Sequence, residues 1–323
     1  MAVRRFIDIG ANLTDSMFSG FYNGSQKHQA DLNQVLSRAF QFGLEKIIVT
    51  AGCMKDIAAA KVLCSSDSRL FYTVGCHPTH CNEFASSPDQ YYDDLKKSVL
   101  EDVPKVVAIG ECGLDYDRYV LDLYVPRICF PREHFCPRDI QLPYFKKQLC
   151  LASEMKLPLF LHCRNAFEDF VDCVKKHVEE HGLIQGVVHT FDGSKSQAKE
   201  ILDMGFYVGF NGCSLKTKEN LEVRFSVVSV FVVASIPQDR ILLETDAPWC
   251  DIRPTHAGFQ YITTKFERKK PNKWSLEFMV AGRNEPANIV QVLEVVAGAR
   301  DESLDELAKA AYENTLKVFP RLL

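Results

Sequence analysis

Eight short apolar runs, each followed by a longer stretch with helical periodicity, leave this chain few folds to choose from. The runs are residues 5–9, 46–50, 71–75, 106–110, 158–162, 186–189, 207–210 and 240–244. Within them Val106-Val-Ala-Ile109 and Leu159-Phe-Leu161 show no polar alternation, which suits parallel strands buried on both faces. Between them, Leu32, Val35, Leu36 and Ala39 fall on one helical face of residues 28–42. Leu142, Phe145, Leu149 and Ala152 do the same in residues 141–155. Residues 285–298 and 303–319 predict two closing helices. Strands alternating with helices in this number predict an α/β fold, a (β/α)8 barrel over residues 1–323 as a single domain. An open doubly wound sheet is the structural alternative, although no G-x-G-x-x-G follows a strand.

Two segments fit this scheme poorly. Residues 119–134 form a long connection containing Pro126 and Pro131, and residues 224–234 are a Val-rich run before the last strand. Structureless loops of that length are uncommon inside a compact domain, so both predict inserts. The 323 residues are 46% hydrophobic and 25% charged, enough apolar matter for a full core. The formal net charge of −4 argues against a broad basic surface. If nucleic acid is the substrate, positive charge must be local or come from metal ions. The twelve cysteines include no CxxC pair, which argues against a zinc finger, and residues 1–9 lack an apolar signal region. Reduced, buried thiols in an intracellular protein are expected. The run 225–236 is too short to span a bilayer.

The chemistry gathers where predicted strands end. These ends read Gly75-Cys-His77-Pro78, Gly110-Glu111-Cys-Gly-Leu-Asp115, His162-Cys-Arg164-Asn165, His189-Thr-Phe-Asp192-Gly193 and Glu244-Thr-Asp246-Ala-Pro248. In a barrel such ends meet on one face, where active sites sit. Scattered polar residues would not choose that position five times. Glu111, His162, His189 and Asp246 therefore stand as candidate ligands for one or two divalent cations. The mixed nitrogen and oxygen set leaves the metal open among magnesium, manganese and zinc. His77, Arg164 and Arg283 are candidate substrate contacts, since cations and imidazoles hold phosphate oxygens. Cys76, Cys112 and Cys163 each neighbour a site residue, so strand alternation turns them away from the site. Residues 265–273, with Phe266 and Trp274 close by, form the best basic patch.

Taken together, Gly110-Glu-Cys-Gly-Leu-Asp115, Leu161-His-Cys-Arg164, Val188-His-Thr-Phe-Asp-Gly193, Glu244-Thr-Asp-Ala-Pro248 and Arg283-Asn-Glu-Pro286 resemble the TatD family of metal-dependent deoxyribonucleases. The opening Phe6-Ile-Asp-Ile-Gly-Ala-Asn-Leu-Thr14 and the run Phe210-Asn-Gly-Cys-Ser-Leu-Lys216 look like its animal branch. The resemblance implies a TIM-like barrel of the amidohydrolase-like, metal-dependent hydrolase type. It implies two divalent cations per chain with Mg²⁺ favoured, and hydrolysis of DNA phosphodiesters, often as a 3′→5′ exonuclease. Glu111 would serve both ions, His162 and His189 one of them, and Asp246 the other. Asp246 would also take the proton of the attacking water, making Asp246 and Glu111 the catalytic carboxylates. The implied partner is a DNA strand end or single strand, with no membrane and no organic cofactor. The implied location is the nucleus, ahead of the cytoplasm. One departure stands out: many members carry D-x-H-x-H at the first strand, where this chain has Asp8-Ile-Gly10-Ala-Asn12. Asp8, Asn12, water or a substrate oxygen is left to complete that part of the site. A hydrolase of amides, esters or aminoacyl bonds is the first alternative, and a DNA-binding protein with a degenerate site the second.

Overall fold

A computed structural model describes residues 4–117, 136–217 and 232–323. In chain order the principal elements are β1 (Phe6–Ala11), α1 (Leu32–Gln41), β2 (Leu44–Val49), α2 (Met54–Ser65), β3 (Leu70–Val74), α3 (Cys81–Ser86), α4 (Pro88–Glu101) and β4 (Val106–Asp115). There follow α5 (Arg138–Met155), β5 (Leu159–Arg164), α6 (Phe167–His181), β6 (Gly186–Val188), α7 (Lys195–Asp203), β7 (Tyr207–Phe210), α8 (Val232–Ser235), β8 (Ile241–Leu243), α9 (Ile289–Arg300) and α10 (Leu304–Val318). All eight predicted strands are present, and their order in the sheet is their order in the chain. A doubly wound sheet would reverse its order at an inner strand, so that alternative falls.

Contacts group the chain into two compact units. The first comprises Met1–Val49, Thr190–Asp203 and Tyr207–Lys317; the second comprises Thr50–His189, Met204–Phe206 and Val318–Leu323. In the first unit β1 runs parallel to β2, and β7 parallel to β8. Just past β8, the Asp246 N–H donates to the Gly10 carbonyl at 2.8 Å. The Thr245 N–H reaches Asp8 Oδ1 at 3.0 Å. These bonds join the last strand to the first, which closing a sheet into a barrel requires. Ile7, Ile9, Ile47, Val208, Phe210 and Leu242 are buried. Helix α9 is buried on nearly every side: Ile289, Leu293, Val295 and Val296 are inside, and so are Gln291, which donates to the Thr264 carbonyl, and Glu294, which accepts the Thr263 and Thr264 hydroxyls.

In the second unit β3, β4, β5 and β6 are successive parallel neighbours. Tyr72, Ile109, Leu159, Phe160 and Leu161 fill it, and Phe145 of α5 stacks on Phe170 of α6 with centroids 5.5 Å apart. Strand β4 continues five residues past its expected end at 110. Two glycines in this stretch allow close pairing with the next strand. Gly110 (φ +150°) and Gly113 (φ +149°) adopt backbone that side chains rarely accept, and a Cβ there would meet the Phe160 and His162 carbonyl oxygens at 2.3 and 1.8 Å. Cys112, Gly113 and Asp115 thereby pair in register with Leu161, His162 and Arg164 of β5. The predicted insert at 119–134 lies outside the described residues, as does 224–231 of the second; Val232–Ser235 forms α8.

Candidate metal centre

The second unit brings four of the sequence-predicted residues together. His77 follows β3, Glu111 lies on β4, His162 on β5, and His189 directly follows β6. One carboxylate oxygen, Glu111 Oε1, lies 2.9 Å from His162 Nδ1, 2.8 Å from His189 Nε2 and 3.3 Å from His77 Nε2. His162 Nδ1 and His189 Nε2 are themselves only 3.3 Å apart. On its other side His162 presents Nε2 to Asp115 Oδ2 at 3.5 Å. His77 Nδ1 accepts the Thr79 N–H at 3.2 Å, so a neutral His77 carries its proton on Nε2, facing Glu111.

The backbone under these side chains is held by buried amides from one helix face. Gln148 of α5 accepts the Cys76 N–H at 2.7 Å and donates to the Cys76 carbonyl at 3.0 Å. One amide thus fixes the residue before His77. Gln141, seven residues earlier on the same face, accepts the Asp115 N–H and donates to the Asp115 carbonyl, both at 2.8 Å. Glu111 and His77 are pinned by their own N–H groups, to the carbonyls of Ala51 at 3.1 Å and Gly52 at 2.8 Å.

Burial alone would raise the Glu111 carboxyl, but the charges of His189 and His77 and hydrogen bonds from His162 and His189 hold it well below the carboxylate range. Burial likewise opposes Asp115, yet the hydrogen bond and charge of His162 bring it down to about 2. His162 is raised despite burial because carboxylates flank it, whereas burial outweighs Glu111 and lowers His77. The cluster therefore keeps two anions in a dry place by surrounding them with imidazoles. His77, Glu111 and His162 each offer a donor atom within 4.8 Å of the others. Two imidazole nitrogens converging on a carboxylate oxygen is a donor set that suits a divalent cation, so the residues present fit the expected metal. Asp115 was quoted in the sequence motif but given no role. Its signal was there: four residues beyond Glu111 on one strand, it shares that residue's face.

Asp246 lies in the first unit. Its backbone is left-handed (φ 54°), Asn12 Nδ2 donates to Oδ1 at 2.8 Å, and the Cys250 thiol reaches Oδ2 at 3.1 Å. Asn12 therefore occupies the first-strand position by binding a carboxylate. Asp8 is wholly buried; it accepts the N–H groups of Thr245 and Gly10 and the Thr245 hydroxyl. Burial pushes it up to about 8 against those donors. Its oxygens serve the join of β1 to β8, which corrects the expectation that Asp8 could hold a cation.

Arg283 departs from expectation. It is fully buried, with Nη1 and Nη2 on Asp31 at 2.6 and 2.7 Å and Nη2 on Glu285 at 2.9 Å. A guanidinium enclosed between two carboxylates is a structural tie, so its assignment as a substrate contact is withdrawn. Arg164 is half exposed and pairs with Asp117 at 2.7 Å. The basic segment 265–273 is also partly committed. Phe266 packs edge-on to Phe42, Trp274 stacks on His28 at 5.4 Å, and Arg268 pairs with Asp251. Cys76 and Cys112 are buried, and burial raises the Cys112 thiol, in keeping with a packing role.

The whole chain is similar to known proteins. A family profile described as TatD related DNase matches residues 7–320. A "Deoxyribonuclease Tat-D" of Schizosaccharomyces pombe is 40% identical, covering 98% of this chain and 96% of its own. A "3'-5' ssDNA/RNA exonuclease TatD" of Klebsiella pneumoniae is 30% identical, covering 97% of each chain. The crystal structure of a hydrolase of the TatD family from Entamoeba histolytica superposes with a TM-score of 0.85 at 33% identity over 99% of both chains. The fold is accordingly the expected TIM-like barrel of the metal-dependent hydrolase type, and family membership brings divalent-metal dependence with it. With the profile matched almost from end to end, the chain belongs to the TatD-related DNase family.

Proposed function

We propose that this chain is a divalent-metal-dependent deoxyribonuclease that removes nucleotides from a DNA strand end. The observation carrying this reading is the convergence of three imidazole nitrogens on Glu111 Oε1. In this reading Glu111, His162, His189 and Asp246 hold two ions, Mg²⁺ in use, with Mn²⁺ or Zn²⁺ able to replace it. When bound, such ions provide a nucleophile at neutral pH and draw charge from phosphoryl oxygens. Asp115 keeps the His162 ring oriented. His77 offers an Nε2–H to a phosphate oxygen, and Arg164 turns from Asp117 to do the same. Asp246 takes the proton of the attacking water. The Klebsiella relative's printed name supports 3′→5′ digestion of single strands. Among the described residues no helix is long and apolar enough to cross a membrane; a nuclear location is part of the reading and is checked by imaging the tagged chain.

The test compares end-labelled linear DNA with circular single-stranded DNA, in EDTA and with Mg²⁺ or Mn²⁺. Label should leave the 3′ end with either metal, stop in EDTA, and the circle should survive. Metal-independent cleavage would overturn the reading, and rapid cutting of circles would overturn its exonuclease part.

Trp249 stands three residues past Asp246 with 49% of its surface exposed, large for an indole. Stacking of a nucleobase on such a ring contributes about 1–3 kcal/mol. Trp249→Ala should therefore raise KM for single-stranded DNA by about 5- to 160-fold, with kcat changing much less. Steady-state kinetics on a short oligonucleotide checks this; an unchanged KM removes Trp249 from the substrate path.

A further inference from the structure

We propose that Cys150 on α5, with His177 and His181 on α6, forms a transition-metal site separate from the Glu111 cluster, taking a thiophilic divalent ion of the zinc class. His177 and His181 are four residues apart on one helix, hence on one face, with ring centroids 4.6 Å apart. Cys150 faces them from the neighbouring helix, its Sγ 3.9 Å from His181 Nε2. Each of the three offers one donor atom, and those atoms all lie within 4.8 Å of one another. His177 is buried, with Nε2 held 2.7 Å from the Ser153 hydroxyl, so one ligand is already fixed while Cys150 and His181 remain open to solvent. Glu180 Oε2, 3.9 Å from His181 Nε2, or a water is available for the fourth place.

One thiolate and two imidazoles are the donors zinc selects in tetrahedral sites, whereas magnesium prefers oxygen. Glu111 and its imidazoles form a nitrogen and oxygen site, so the two places differ in chemical class. On binding, the Cys150 thiol releases its proton to solvent as sulfur becomes the ligand. The ion would then clamp α6 to α5, the helix whose Gln141 and Gln148 hold the backbone beside His77 and at Asp115.

Cobalt(II) is the probe, because a cobalt–thiolate bond gives a charge-transfer absorption that nitrogen and oxygen ligands do not. The protein, stripped with EDTA, should develop this band on Co²⁺ titration, saturate near one equivalent, and lose it when Zn²⁺ is added. Cys150→Ser and His181→Ala, both at exposed positions, should reduce the band to background. His80→Ala alters the other described thiol-bearing group, Cys53, His80 and Glu83, and should leave the band intact. No band in the wild-type protein, a band that survives Cys150→Ser, or one that disappears in His80→Ala would overturn the proposal.

Discussion

Glu111→Gln lowers nuclease turnover by about 10³-fold while the protein stays folded. Glutamine keeps the shape and removes the charge on which His77, His162 and His189 converge. A metal site contributes several kcal/mol of charge stabilisation in the transition state, and each 1.36 kcal/mol is tenfold in rate. Some stability should be lost as well, because the imidazoles outweigh burial and hold the anion below the carboxylate range in the folded state, a pairing the neutral amide gives up. Initial rates on end-labelled single-stranded DNA, beside thermal unfolding of both proteins, read the two effects separately. Turnover within about threefold of wild type, in a folded variant, would remove Glu111 from the mechanism.

Arg283→Ala acts in the opposite way: the fold suffers and the chemistry does not. Its guanidinium lies between Asp31, 1% exposed, and Glu285, 0% exposed, and also donates to the Met17 carbonyl at 3.1 Å. Arg38 neutralises Glu285 from one side, at 2.9 Å, but Asp31 would be left with an uncompensated charge. Breaking a buried pair by removing one partner typically costs about 3–5 kcal/mol. Since whole-domain stability is only about 5–15 kcal/mol, much of it would go. Urea unfolding should show the loss, and KM per folded molecule should stay near wild type. A variant of full stability with a strongly raised KM would restore Arg283 as a substrate contact.

The two residues show what the sequence could and could not convey. Strand ends are legible because periodicity marks the strands, and His77, Glu111, His162 and His189 were all found by reading the residues at or just past those ends. Arg283 sits in a motif too, but a motif does not say which way a side chain points. Asp31, its partner, lies some 250 positions away, beyond the reach of any local pattern. Gly110 and Gly113 are opaque for a related reason. Glycine marks either a break or a close approach, and only the position of β5 decides between them. Gln141 and Gln148 were invisible because the apolar face of α5 was defined by its hydrophobic residues. A buried amide looks like a surface residue until the backbone groups it satisfies are known. The run at 265–273 is legible as a basic patch; that the aromatic rings in and beside it, Phe266 and Trp274, are packed against Phe42 and His28 is not.

The two glutamines of α5 also govern where this barrel can be cut and rejoined. They act as a gauge: two teeth on one rod, each engaging a different strand end. A residue inserted between positions 141 and 148 would rotate one tooth about 100° from the other. Chimeras exchanged upstream of Gln141 or downstream of Gln148 preserve that phase, and those joined inside it would misalign His77 against Asp115 with every ligand still in the sequence.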